Sequence, residues 1–138
     1  MKTATHIVGI LLGFVFFAGG LFYFFGTVPP PPFTADSLPG KFMAAFGPTG
    51  YMAFVKVCEI LGGALVAVPK TRNLGLLILG PIIINILCFH GLVMQGQGFS
   101  PVHAFITLAA LFLLWSERRA FAGLVNRETK PAPGNPAP

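Results

Sequence analysis

The stretch FVKVCEILGGALV, residues 54–66, places a lysine and a glutamate three positions apart in an otherwise apolar run. Side chains three residues apart lie on the same face of an α-helix, so Lys56 and Glu59 are predicted to point in one direction. A helix that is apolar around the rest of its circumference is typical of a segment enclosed by apolar material. The adjoining Gly62 and Gly63 are predicted to let a second helix approach closely.

The composition of the whole chain indicates what this apolar material is. Of the 138 residues, 54% are hydrophobic and 9% are charged, and the mean hydropathy is +0.78. Soluble domains carry about 25% charged residues. The length favours one domain. We therefore interpret the chain as a single integral membrane domain.

Four apolar stretches approach the roughly 20 residues that a membrane-spanning helix needs. They are residues 7–25, 51–68, 74–94 and 99–119. The predicted fold is an all-α, integral membrane four-helix bundle over residues 1–122, with a proline-containing outer loop at 26–50 and a proline-rich cytoplasmic tail at 123–138. The first stretch is predicted to be a retained anchor, because its apolar run continues beyond the small residues 18–20 that a signal peptidase would recognise.

The basic residues predict the orientation of these spans. Seven of the nine fall on the side that holds both termini and the turn between the second and third spans: Lys2, Lys70, Arg72, Arg118, Arg119, Arg127 and Lys130. The positive-inside rule therefore places both termini of the multi-pass protein in the cytoplasm. This topology accounts for the isoelectric point near 9.7, so nucleic acid is not predicted as a partner.

The polar residues within the spans are the candidate site. At a rise of about 1.5 Å per residue, Lys56, Glu59, Asn85 and His90 are predicted to lie in the outer half of the membrane, with His103 nearer the surface. Charges that face lipid are costly, so Lys56 and Glu59 are predicted to face the bundle interior. Two interpretations remain open. The charges neutralise one another and, with Asn85, fix helix register, or they form a pocket that moves protons or holds the head of a quinone or another small ligand.

The histidines offer a further alternative, since His90 and His103 near one membrane face could bind haem, chlorophyll or a metal. In a regular helix Asn85 and His90 project about 140° apart and do not share a face. No paired-histidine spacing of the HxxxH type occurs in the chain. The pattern therefore favours hydrogen-bonded interfacial histidines, and no metal site is predicted.

Three segments together resemble a known family: FGPTGY at 46–51, KVCEILGG at 56–63 and GPIIINILCFH at 80–90. They are similar to the DoxX-like family of small bacterial membrane proteins, and the resemblance extends over residues 7–119. It implies a four-helix membrane bundle associated with membrane redox systems, the family being named for subunits linked to quinone-coupled thiosulfate oxidation. It implies no catalytic residues, and it marks Glu59, Asn85 and His90 as recurring positions.

These observations predict a non-catalytic accessory subunit of a larger inner-membrane redox or photosynthetic electron-transfer complex, which stabilises assembly. Its predicted partners are membrane lipids and other subunits. No cofactor of its own is expected, although a quinone, pigment or lipid could lie at the helix surface. The alternative is a quinone-interacting oxidoreductase component in which Glu59 carries a proton and Lys56 tunes its acidity. A transporter is disfavoured because the chain has no internal repeat.

Overall fold

The computed structural model describes residues 2–27 and 33–125, in which the chain is mostly helical and no strand occurs. The proline run at 29–32 and the tail beyond residue 125 lie outside the described residues. A 3-10 turn, Gly47–Thr49, precedes the third helix, and a π-helical turn, Phe89–Val93, extends the fourth. The helices are α1 (Lys2–Phe24), α2 (Leu38–Phe46), α3 (Tyr51–Ala67), α4 (Arg72–Cys88), α5 (Pro101–Ser116) and α6 (Arg118–Val125). The predicted all-α class is confirmed.

Two helical segments are long and apolar enough to cross a bilayer, namely α1 and α4 with its π-helical turn. A third qualifies if α2 and α3 form one span that bends by 83°. Helix α5 is apolar but has 16 residues, which span about 24 Å, against a hydrocarbon core of about 30 Å. The described chain thus has two or three helices capable of spanning a membrane, and a fourth span at α5 stays a prediction.

The fourth predicted stretch, residues 99–119, is not one continuous helix. Helix α5 ends at Ser116, and α6 begins at Arg118. The guanidinium of Arg118 donates a hydrogen bond from Nη1 to the carbonyl of Trp115 at 2.8 Å and lies 4.6 Å from the centre of its ring. This bond satisfies a carbonyl of the last turn with a side chain, which is a common way for a helix to end.

Helix α3 packs against α1 in the antiparallel direction, with glycines at the closest approach. A Cβ atom built on Gly63 would lie 2.7 Å from the carbonyl oxygen of Gly13 and 2.8 Å from the backbone nitrogen of Phe17. Further along, Gly20 meets Ile60, and Gly9 meets the carbonyl of Val66. The close approach of a second helix that the sequence predicted is therefore confirmed at Gly63, where this helix is α1.

The opposite side of α3 packs against α4 in the same manner. A Cβ atom on Gly62 would lie 2.7 Å from the side chain of Leu79, and one on Gly75 would lie 2.5 Å from the backbone nitrogen of Val66. Helix α5 contacts both α1 and α4. The buried apolar core comprises Leu12, Phe16, Val66, Leu76, Leu79, Ile83, Ile106, Ala109, Ala110 and Leu113. We call the end where α1 ends and α3 begins the upper end, and the opposite end the lower end.

Candidate functional site

The charged pair of α3 forms a close ion pair near the upper end. The ammonium nitrogen of Lys56 lies 2.8 Å from each carboxylate oxygen of Glu59, whose side chain is 4% exposed against 23% for the lysine. The pair is turned inward, as predicted. An ammonium group has three N–H donors. Two point to the carboxylate, so one donor of Lys56 remains for another acceptor.

This ion pair lies in the wall of a pocket of about 210 Å³. Four of the five predicted site residues line this pocket: Lys56, Glu59, Asn85 and His90. The rest of the lining is apolar and comes from α2, α3, α4 and the π-helical turn, chiefly Phe42, Met43, Tyr51, Val55, Ile82 and Phe89. A mainly apolar cavity with a few converging polar groups is typical of a small-molecule site.

Asn85 and His90 share this pocket although a regular helix would direct them about 140° apart. The helix changes from α to π at Phe89, between these two residues. In the wider turn the backbone bonds to the fifth residue, as the N–H of Met94 does to the carbonyl of Phe89 at 2.9 Å. Both side chains line the one pocket despite the predicted separation. Turns of this kind occur frequently at functional sites.

Asn85 is exposed where it lines the pocket. In the described residues it forms no side-chain hydrogen bond with Lys56 or Glu59, whose bonds are to each other. The predicted role of Asn85 in fixing helix register is thus not supported by a contact with the ion pair. The close contacts of α3 with α1 and α4 are at glycines.

His103, the fifth predicted site residue, lies behind the pocket. Its ring centre is 4.0 Å from that of His90. The Nδ1 of His90 donates to the carbonyl of Ile86 at 2.9 Å, whereas the Nδ1 of His103 accepts from the backbone N–H of Ser100 at 3.0 Å. In their neutral forms His90 therefore presents an unprotonated Nε2 and His103 an Nε2–H. The sequence favoured hydrogen bonds from interfacial histidines to a loop carbonyl. Both histidines are hydrogen-bonded, His90 to a carbonyl within α4 and His103 to a backbone N–H, and their interfacial position stays a prediction.

Helix α2 covers one side of the pocket with Phe42 and Met43. The sequence indicates a short aromatic helix at residues 41–46 but not its position over the pocket. Its Phe42 ring packs 5.0 Å from Phe89, and Phe46 packs 4.9 Å from Tyr51. Gly50 has a φ of +75° and begins α3, a conformation that glycine adopts without strain. This residue permits the 83° bend that brings α2 back across the end of α3.

A second ion pair, which sequence reasoning missed, lies at the lower end. Arg72 is 3% exposed, and its Nη1 lies 3.1 Å from Oε1 of Glu117. The sequence placed Arg72 in a free cytoplasmic turn. The sequence feature that could have indicated this pair is Glu117, which is one of only four acidic residues in the chain and directly follows an apolar stretch.

Comparison with known proteins identifies a relative in Bacillus subtilis (strain 168), described as uncharacterized protein YwoB. It is 33% identical, and the alignment covers 92% of this chain and 85% of the relative. The chain belongs to the same family as this protein. No family model matches the chain, and no solved structure matches it. The DoxX-like resemblance therefore stays a prediction.

Proposed function

We propose that this chain is an integral membrane protein whose upper pocket binds the polar head of a lipid-soluble molecule of the quinone class. The observation that carries the proposal is the Lys56–Glu59 ion pair in the wall of an otherwise apolar pocket. The apolar surfaces of the helices support a membrane location, in which the upper end corresponds to the periplasmic side of the predicted topology.

Stability alone gives no reason for an ion pair at this position. Replacing a buried ion pair by well-packed apolar residues is often neutral or stabilising. The lysine is partly exposed and retains an N–H donor, and Asn85 and His90 line the same cavity. Polar groups that converge on one cavity favour recognition of a ligand.

The chemistry of these groups suits both redox forms of a quinone. The Lys56 ammonium and the Asn85 amide can donate hydrogen bonds to quinone carbonyls. The Glu59 carboxylate and the unprotonated Nε2 of His90 can accept them from quinol hydroxyls. Aromatic walls at Phe42 and Phe89 suit a flat ring. A cavity of about 210 Å³ is below the usual range for whole drug-sized ligands, roughly 300–1,000 Å³, so it suits a head group whose tail lies outside.

Direct binding tests this function. The chain is reconstituted in lipid nanodiscs and titrated with a short-tailed benzoquinone, with binding followed by equilibrium dialysis. Saturable binding is expected, and Lys56→Met should weaken it about tenfold or more, since a hydrogen bond to a charged group contributes about 1.5–3 kcal/mol. Lys41→Met is the matched control, because Lys41 is exposed on α2 and the substitution removes the same charge.

Two outcomes would contradict this proposal. One is equal binding of the quinone by the wild type and Lys56→Met. The other is equal binding of an alkylbenzene with the same tail and no carbonyls, which would show that the pocket recognises apolar volume alone.

The four-span topology with both termini in the cytoplasm is part of this proposal and has its own test. If α1, α3, α4 and α5 all cross the membrane, the two termini lie on the same side. If the short α5 does not cross, they lie on opposite sides. Reporter fusions at the C-terminus and at Gln97 are expected to be cytoplasmic and periplasmic respectively. Reporters that both score periplasmic would remove α5 from the spans.

The accessory-subunit hypothesis stays a prediction. Native mass spectrometry of the complex solubilised in mild detergent tests it through stoichiometric partner chains. A Glu59→Gln variant that leaves electron transfer intact while assembly fails would favour this hypothesis over a ligand-binding role.

A further inference from the structure

A second cavity, of about 350 Å³, lies at the lower end, away from the upper pocket. Its wall combines the first turns of α1 with the start of α4 and the end of α5. The side chains that line it are Lys2, Thr5, His6, Arg72, Ser116 and Glu117. Five of these six can donate hydrogen bonds, and the only carboxylate is already paired with Arg72. The cavity is therefore rich in donors and positively charged.

Arg72 supplies the strongest indication that this cavity takes a ligand. Its guanidinium is fixed on one side by the bond to Glu117 and packs against α1, where a Cβ atom on Gly9 would lie 2.9 Å from Nε. The second terminal nitrogen, Nη2, is buried and has no hydrogen-bond acceptor in the described residues. Buried arginine donors are normally paired, because an unsatisfied charged donor is costly.

The start of α1 adds to this positive potential. The first four backbone N–H groups of a helix have no partner within the helix, and its dipole makes this end favourable for anions. Lys2, Thr5 and His6 belong to these first turns. The hydroxyl of Thr5 donates to that of Ser116 at 3.4 Å. An oxyanion in the cavity would accept from the helix end, from Lys2 and His6, and from the guanidinium together.

We propose that the lower cavity is a binding site for a phosphate group, held by Arg72 from α4 and by Lys2 and His6 from α1. A phosphate offers several acceptor oxygens in a tetrahedral arrangement and suits a planar guanidinium fork. The group can belong to an anionic phospholipid, since basic pockets between membrane helices bind such head groups, or to a dissolved phosphate. This site is independent of the quinone proposal.

The fluorescence of Trp115 can report ligand binding in the lower cavity. This residue is the only tryptophan in the chain and directly precedes Ser116 in the cavity wall. The full chain in a detergent with an uncharged head is titrated separately with inorganic phosphate, with a short-chain phosphatidylglycerol and with an uncharged diacylglycerol of the same chains. A saturable fluorescence change is expected with a phosphate-bearing ligand and not with the diacylglycerol. Saturation by phosphatidylglycerol alone assigns a lipid head group, and saturation by inorganic phosphate assigns a dissolved anion.

Variants distinguish specific binding in the lower cavity from nonspecific electrostatic attraction to the basic residues. Lys2→Gln and Arg72→Lys should each weaken binding about tenfold, the first by removing a charged donor and the second by removing the fork. Lys70→Gln is the matched control for Lys2→Gln, because Lys70 is exposed outside the cavity. Lys2→Gln retains the Arg72–Glu117 pair, so it remains informative if Arg72→Lys fails to fold. The proposal is overturned by an absence of saturable change, by an equal response to diacylglycerol, or by equal weakening in Lys70→Gln.

Discussion

Gly63→Ala is expected to lower the free energy of unfolding by about 3 kcal/mol, at the upper end of the usual cost of overpacking. The added Cβ atom would lie 2.7 Å from a carbonyl oxygen of α1 and 2.8 Å from a backbone nitrogen of the same helix. Backbone atoms cannot move aside as the end of a flexible side chain can. The two helices must therefore separate, and the packing between α1 and α3 is lost along their length.

Thermal or denaturant unfolding of the purified chain in detergent, followed by circular dichroism, measures this effect. Gly19→Ala is the matched control. Gly19 lies in α1, and a Cβ atom there would meet nothing within 4 Å. Alanine is favoured over glycine inside a helix by about 1 kcal/mol, so this variant should be as stable as the wild type or slightly more stable. Equal stability of Gly63→Ala and Gly19→Ala would contradict the backbone contact.

The second large effect is expected when one charge of the ion pair is removed. Lys56→Met leaves the carboxylate of Glu59, whose side chain is 4% exposed, without its cation. Breaking a buried pair in this way costs about 3–5 kcal/mol. Because the lysine side chain is partly exposed, we expect a loss of about 3 kcal/mol in the free energy of unfolding.

The double variant Lys56→Met/Glu59→Leu should recover most of this stability, because it leaves no unpaired charge. It should not recover quinone binding. A folded double variant that lacks ligand affinity would separate the two roles that the sequence left open for the pair. If the double variant is as unstable as Lys56→Met, or if it binds quinone as the wild type does, the assignment of the pair to ligand recognition is wrong.

The features that could be predicted from sequence are those that depend on neighbouring residues. The shared direction of Lys56 and Glu59 follows from a spacing of three. The close approach of neighbouring helices follows from two adjacent glycines, Gly63 facing α1 and Gly62 facing α4. The break before α3 is encoded by a glycine and proline cluster at residues 47–50. Each of these features depends on residues close together in the sequence, so it could be predicted without knowledge of the tertiary contacts.

The features that escaped prediction depend on segments distant in sequence or on a change of helix type. Nothing in the residues 89–93 indicates a π-helical turn, and the sequence did not indicate that His90 and Asn85 line one pocket. The pair of Arg72 and Glu117 joins residues 45 positions apart. Pairing at such a distance is set by the packing of α4 and α5, which an apolar pattern does not specify.

The glycine contacts on both sides of α3 also determine which part of the upper pocket can adapt. Helix α3 cannot rotate about its own axis without a clash between its atoms and those of α1 or α4. The side chains of Lys56 and Glu59 are therefore expected to keep the same direction toward the upper pocket. Helix α2 is joined to α3 through a short turn and the left-handed residue Gly50, and it contacts the pocket walls through aromatic rings. If the upper pocket binds a ligand as proposed, we expect α2, and not the ion pair, to adjust to ligands of different width.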